Sequence, residues 1–310
     1  MPHIKQARRR ESSSSPKSST GLSPLKKRAR HGVGNAARVN VAPEDKAVEH
    51  ALTALKVVNN AIPPSGILPV AIQRKAWPGL AEFETWVHFG DTFSVDDEDV
   101  WVRTIYLAPQ SATADVKVYA TDAARVEDDV PDQVGQVLGI QASPKDALDP
   151  DKTLYVFWMG CYDCLEPDDS EEGGLEHLVG MLIDHVQFLY SANARCFLII
   201  DVPAVDRAPA HWEDADRVRG QISDWNELLR ESVCAFAEEE EYSDVSLFVF
   251  SSHKMLSDLL DDVEEFGFDE EDERRVNGKI WVDREDVTVS KEVHRLLADK
   301  MQLAITLAEE

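Results

Sequence analysis

The sequence predicts an α/β protein, a three-layer α/β/α sandwich with a mostly parallel sheet. Two observations support this prediction. Five short apolar runs, rich in β-branched and aromatic residues, are typical of strands buried on both faces. Amphipathic segments with helical spacing lie between or after these runs. Strands that alternate with helices form βαβ units, and such units build a parallel sheet covered on both sides.

The elements follow one another in a regular order after a polar N-terminal segment. The predicted strands cover residues 85–89, 116–120, 153–159, 195–201 and 245–250. The predicted helices cover residues 175–192, 213–240, 253–263 and 288–307. In a parallel sheet, functional sites form at the carboxyl ends of the strands, so the residues that follow each strand are the candidates for chemistry.

Charge divides the chain into two unequal parts. The 310 residues carry 58 acidic and 32 basic side chains, a formal charge of −26. Residues 1–32 hold nine basic residues and one acidic residue, a charge of +8, which leaves −34 for the other 278. A body this acidic repels phosphates, which argues against a nucleic-acid-binding core. No apolar run approaches the roughly 20 residues of a membrane-spanning helix.

The N-terminal segment is predicted to be a disordered, basic, Ser-rich tail over residues 1–40, because it holds too few apolar residues to form a core. It has no secretory signal pattern, which favours an intracellular protein, nuclear or cytoplasmic. The cluster Lys26, Lys27, Arg28 and Arg30 is typical of a site for a nuclear import receptor. A linker with a helix is expected over residues 41–75, and one domain over residues 76–310.

Seven short motifs in the body resemble, in order, those of the GDSL (SGNH) hydrolases. FGDTFS at residues 89–94 resembles the first block, and ATDAARVEDD at 120–129 resembles A-x-G-G-A-T-V-D-N-D. GCYD at 160–163 is similar to G-x-N-D, and WVDREDVT at 281–288 to W-x-D-x-x-H-P-T. The fungal carbohydrate esterase family 16 type is the most similar branch. The resemblance implies the SGNH hydrolase fold with a flavodoxin-like five-stranded sheet, and ester hydrolysis without a cofactor.

The sequence differs from the GDSL pattern at the catalytic positions. The nucleophilic Ser falls on Thr92, and the triad His falls on Asp286, while the triad Asp is kept at Asp283. The oxyanion-hole positions are Thr92, Ala123, which replaces a Gly, and Tyr162, which replaces an Asn. An aspartate of ordinary pKa, about 4, is a poor base near neutral pH. We therefore expect a catalytically impaired or inactive homologue that keeps the fold and a ligand or partner site.

Two alternatives remain open. The first is an active ester hydrolase, of the carbohydrate acetylesterase or lipase type, with a relocated base, for which His253 after the fifth strand is the best candidate. The second is a thiol redox protein, since Cys161 and Cys164 form a C-x-x-C motif directly after an apolar strand.

The resemblance and the acidic runs also predict what the protein binds. The resemblance implies a small ester or an acetylated carbohydrate as the ligand. The acidic runs, densest at residues 261–273, predict a face for a basic protein partner. None of these runs has the spacing of a calcium-binding loop, and no metal site is expected.

Overall fold

The computed structural model describes residues 70–74, 77–95, 114–166, 174–282 and 287–309 of the chain. The basic tail, most of the expected linker, and Asp283 and Asp286 lie outside these residues. The strands of the described part are β1 (Val70–Arg74), β2 (Thr85–Gly90), β3 (Asp115–Val118), β4 (Thr153–Trp158), β5 (Cys196–Ile200) and β6 (Ser246–Phe250).

The strands form one sheet in the order β1-β6-β5-β4-β2-β3. The five strands from β2 to β6 are parallel, with Thr85 paired to Asp115 on one side and to Thr153 on the other. Every residue of β4, β5 and β6 is buried, so both faces of the sheet are covered by protein. The predicted fold class, with a five-stranded parallel sheet in flavodoxin-like order, is confirmed.

A sixth strand was not predicted. Strand β1 pairs antiparallel with β6 at the edge of the sheet, with a register shift between Ala71 and Gln73. It lies inside residues 41–75, for which the sequence predicts a linker with a helix, so the sheet begins before residue 76. Five residues of an edge strand carry little periodicity of their own, and their structure depends on the partner strand.

The helices are those expected plus two more, and their bounds agree to within about three residues. They are α1 (Val126–Gln141), α2 (Cys161–Leu165), α3 (Gly174–Ser191), α4 (Ala215–Glu238), α5 (Ser252–Asp261) and α6 (Lys291–Glu309). Helix α3 packs between α1 and α4, and α5 packs against α6. No helix in the described part of the chain is both long and apolar enough to cross a membrane.

The sheet order decides which loops meet. Strand β2 lies between β3 and β4, so the turn after β2 is flanked by the loop after β3 and by α2, which follows β4. The chain runs from β2 to β3 in one direction and from β3 to β4 in the other. Ligands of parallel α/β sheets bind at such a reversal, at the carboxyl ends of the strands.

Candidate functional site

The turn after β2 is built for close packing. A Cβ on Gly90 would lie 2.7 Å from the Cβ of Ser94 and 2.9 Å from the carbonyl oxygen of Trp158, so a larger residue does not fit there. The next residue, Asp91, begins a 3-10 turn over Thr92–Ser94, and its carboxylate accepts a hydrogen bond of 3.0 Å from the backbone N–H of Phe93. Thr92 is thereby held as the first residue of this turn.

The Thr92 hydroxyl is the centre of a hydrogen-bond cluster. Its Oγ1 lies 2.6 Å from Oδ1 of Asp122, 2.9 Å from the phenol oxygen of Tyr162 and 2.9 Å from the backbone nitrogen of Ala123. These partners come from the loop after β3 and from α2, which the sheet order places on either side of Thr92. The structure thus brings together Thr92, Ala123 and Tyr162, the three oxyanion-hole positions of the resemblance.

The directions of these bonds follow from the chemistry of the groups. A hydroxyl has one proton to donate and two lone pairs to accept with, whereas a carboxylate only accepts. Thr92 therefore donates to Asp122, and accepts from the O–H of Tyr162 and the N–H of Ala123. All the hydrogen-bonding capacity of the Thr92 hydroxyl is used within the protein.

Ala123 adopts a left-handed backbone conformation, with φ of 53°. A side chain in this region costs about 1–2 kcal/mol, and glycine avoids that cost. The Gly that the GDSL pattern has here suits this conformation, and the alanine keeps it together with the N–H directed at Thr92. The substitution by alanine thus strains the loop without removing this donor.

We expect Ala123→Gly to stabilise the protein by about 0.5–1 kcal/mol, because the relief of strain exceeds the added entropy of the unfolded chain. Urea unfolding measures the change. Asn193→Gly is the matched control, since Asn193 also has a positive φ, of 77°, which asparagine tolerates well, so its gain should be smaller. A loss of stability in Ala123→Gly would contradict the inference that the left-handed backbone of Ala123 is strained.

Gln133 of α1 joins the loops around the centre. Its side-chain oxygen accepts from the N–H of Gly90 at 3.0 Å, and its amide nitrogen donates to the carbonyl of Gly90 at 2.9 Å and to Oγ1 of Thr121 at 3.2 Å. On the other side, Asp163 of α2 accepts from the backbone N–H of Val126 at the start of α1. These buried bonds fix the loop that carries Ala123.

Two buried carboxyl groups lie beneath the cluster. Burial raises the pKa of Asp91 to about 8, against the lowering effect of the bond from Phe93, and the nearby Asp163 raises it further. Burial also raises the pKa of Asp163 to about 6. At neutral pH Asp91 is therefore mostly protonated, so the interior beneath Thr92 avoids a pair of adjacent negative charges.

The predicted redox pair is poorly placed for thiol chemistry. Cys161 and Cys164 are both free thiols, and each is almost fully buried. Burial raises the pKa of Cys164 well above its usual range, which is the opposite of what a reactive thiolate needs. The thiol of Cys164 lies 3.7 Å from the carbonyl oxygen of Gln221, in the packing between α2 and α4. Both the burial and the raised pKa of this thiol disfavour a redox role for the pair.

The structure places His253, the candidate for a relocated base, far from Thr92. His253 follows β6, and β4 and β5 separate β6 from β2, which is about 14 Å at the usual strand spacing. Its backbone N–H donates to Asp201 at 2.9 Å. Among the described residues, no imidazole hydrogen-bonds to Thr92 Oγ1. His294 of α6 is buried, with its ring centroid 6.3 Å from that of Phe93.

Sequence reasoning missed the role of Asp122 and Gln133. A signal for Asp122 was present, because the GDSL pattern has a Gly at that position. Nothing local marks Gln133, whose partners lie up to 43 residues away. Within the described ranges, no group of three or more His, Cys, Asp and Glu side chains is arranged to hold a metal ion.

Solved structures with a similar fold include two acetylxylan esterases and a protein described as a GDSL-like lipase. The acetyl xylan esterase AlAXEase shares 15% identity over 70% of this chain and 97% of that chain, with a TM-score of 0.47. A GDSL-like lipase from Parabacteroides merdae shares 10% identity over 73% and 97%, with a TM-score of 0.49. An acetylxylan esterase from Geobacillus stearothermophilus shares 12% over 75% and 96%, with a TM-score of 0.45. No protein-family model and no curated protein sequence matches the chain.

Proposed function

We propose that this protein is an SGNH/GDSL hydrolase-like protein in which the ester-hydrolysing centre is catalytically impaired. One observation carries the proposal: the hydroxyl at the nucleophile position is hydrogen-bonded to Asp122, Tyr162 and Ala123, and no imidazole in the described part of the chain bonds to it. The collinear motifs of the sequence support the family. Three of these motifs lie on the loops that follow β2, β3 and β4, and these loops meet at the carboxyl ends of the three strands.

The impairment has two physical causes. An ester-hydrolysing serine enzyme passes the nucleophile's proton to a base whose pKa lies near the working pH, and then returns it to the leaving alcohol. The Thr92 proton is instead directed at the carboxylate of Asp122, and the sequence places a second carboxylate, Asp286, at the histidine position. Carboxylates are weaker bases than imidazole. Tyr162 replaces an amide donor with a phenol, which here donates to Thr92 itself. Loss of one oxyanion donor costs about 10²–10³ in rate.

The experiment is turnover of p-nitrophenyl acetate by the purified full chain. Thr92→Val is the matched variant because valine has the shape of threonine without the hydroxyl. We expect the wild type and Thr92→Val to hydrolyse the ester at the same slow rate. A wild-type rate that falls by tenfold or more in Thr92→Val would show that Thr92 is a working nucleophile, and would sink the proposal.

A second candidate is an active ester hydrolase with Asp122 as the relocated base. The separation of 2.6 Å between Thr92 Oγ1 and Asp122 Oδ1 favours it, because a general base must lie within hydrogen-bond reach of the proton that it takes. In that case, turnover should depend on both Thr92 and Asp122. A small ester or an acetylated carbohydrate would be the ligand class of either candidate.

A further inference from the structure

The position of Asp122 sets this centre apart from the pattern that it resembles. Asp122 immediately precedes Ala123, stands where that pattern has a glycine, and lies on an exposed loop. A glycine has no side chain to contact the nucleophile position, whereas the Asp122 carboxylate accepts a hydrogen bond from the Thr92 hydroxyl, with 2.6 Å between the two oxygens. The substitution therefore adds a negative charge and a hydrogen-bond acceptor at the mouth of the centre.

We infer that Asp122 is a positioning residue that closes the Thr92 centre to anions, including the oxyanion that ester hydrolysis must form. The inference rests on the proposed function, since it explains how the impaired centre is held. Asp122 acts through the Thr92 hydroxyl and through its own charge.

The first effect is on the hydroxyl. Asp122 orients the Thr92 proton towards itself, so both lone pairs of Oγ1 face the N–H of Ala123 and the O–H of Tyr162. A hydroxyl offers two lone pairs, and attack on an ester needs one of them. The same bonds occupy the donors at two of the three oxyanion-hole positions, Ala123 and Tyr162. The Thr92 hydroxyl and these two donor groups therefore hydrogen-bond to one another instead of to a ligand.

The second effect is electrostatic. An anion bound by the Ala123 N–H would lie within a few ångströms of the Asp122 carboxylate. Like charges at about 5 Å near a protein surface repel strongly enough to weaken binding by roughly tenfold or more. Acetate, the carboxylate product of acetyl ester hydrolysis, should therefore bind poorly at this centre in the wild type.

Acetate titration of the ¹⁵N-labelled full chain, followed at the Ala123 amide by NMR, tests the inference. Asp122→Asn keeps the shape and a hydrogen-bond acceptor but removes the charge, and Asp122→Gly also releases the hydroxyl. We expect acetate to bind about tenfold more tightly to Asp122→Asn than to the wild type, and at least as tightly to Asp122→Gly. Asp132→Asn, an exposed acid on α1, controls for the change in net charge.

Acetate affinities of both Asp122 variants within twofold of the wild type, or an equal gain in Asp132→Asn, would overturn the inference. Rates of p-nitrophenyl acetate hydrolysis by the same proteins keep the two proposals apart. Turnover that falls in both Thr92→Val and Asp122→Asn would identify Asp122 as a base and defeat the proposed function. Unchanged acetate affinity without Thr92-dependent turnover would defeat only the role of Asp122.

Discussion

Gly160→Ala is expected to lower the free energy of unfolding by about 2–5 kcal/mol. Gly160 precedes α2 with φ of 107°, and a Cβ there would lie 2.2–2.5 Å from three ring atoms of Trp225. The Trp225 side chain is fully buried in α4 and cannot move aside. The cost combines a positive φ, about 1–2 kcal/mol, with overpacking of the core, about 1–3 kcal/mol.

Gly139→Ala is the matched control for this substitution. Gly139 lies inside α1, and a Cβ added there would meet no atom within 4 Å. Alanine is the better helix former, so this variant should gain about 0.5–1 kcal/mol. Urea unfolding measures the free energy of unfolding of both variants. Equal effects of the two substitutions would contradict the close approach of Gly160 to Trp225. The same contact holds the start of α2, the helix that carries Tyr162.

Asp91→Asn is expected to change how stability depends on pH. Burial, and to a smaller extent the neighbouring Asp163, raise the pKa of Asp91 from 3.8 to about 8 in the folded protein. Between about pH 4 and pH 8 the folded protein keeps a proton that the unfolded chain has lost. The free energy of unfolding from this group is therefore greatest at low pH, falls as pH rises through this window, and levels off above about pH 8.

Asparagine remains neutral and can still accept the hydrogen bond from Phe93, so the variant should lose this contribution to the pH dependence. We expect Asp91→Asn and the wild type to differ little at about pH 3, and the variant to become more stable than the wild type by up to about 1.4 kcal/mol per pH unit from about pH 4 towards pH 8. The difference between the two curves isolates Asp91 from the many other carboxylates. Urea unfolding at a series of pH values measures this difference. If the free energies of unfolding of the two proteins changed with pH in parallel, the inference that Asp91 is buried and protonated would be contradicted.

Much of this architecture could be read from local patterns. The apolar runs around Val156 and Ile199 identify buried strands because a parallel strand covered on both faces has no polar side. The order of the motifs located Thr92, Ala123 and Tyr162 as one group before any contact was known. Helix α1 was missed, since its polar first turn and Pro131 hide its apolar face.

Other features depend on partners far along the chain. Strand β1 forms because β6 offers an open edge. The five residues of β1 do not by themselves predict that pairing. The sheet order places β6 three strands from β2, and so places His253 far from Thr92. Asp122 was visible as a carboxylate in place of a glycine, but its bond to Thr92 spans 30 residues.

The sequence by itself determined most of the strand and helix pattern and the acidic body, because both follow from residue types and their spacing. The basic tail, its import signal and the replacement of the triad histidine by Asp286 remain predictions of the sequence. The tertiary structure alone decided what the Thr92 hydroxyl contacts, that Ala123 is left-handed, and that Asp91 is buried enough to hold a proton. Contacts, backbone angles and burial arise only when strands distant in sequence become neighbours in the sheet.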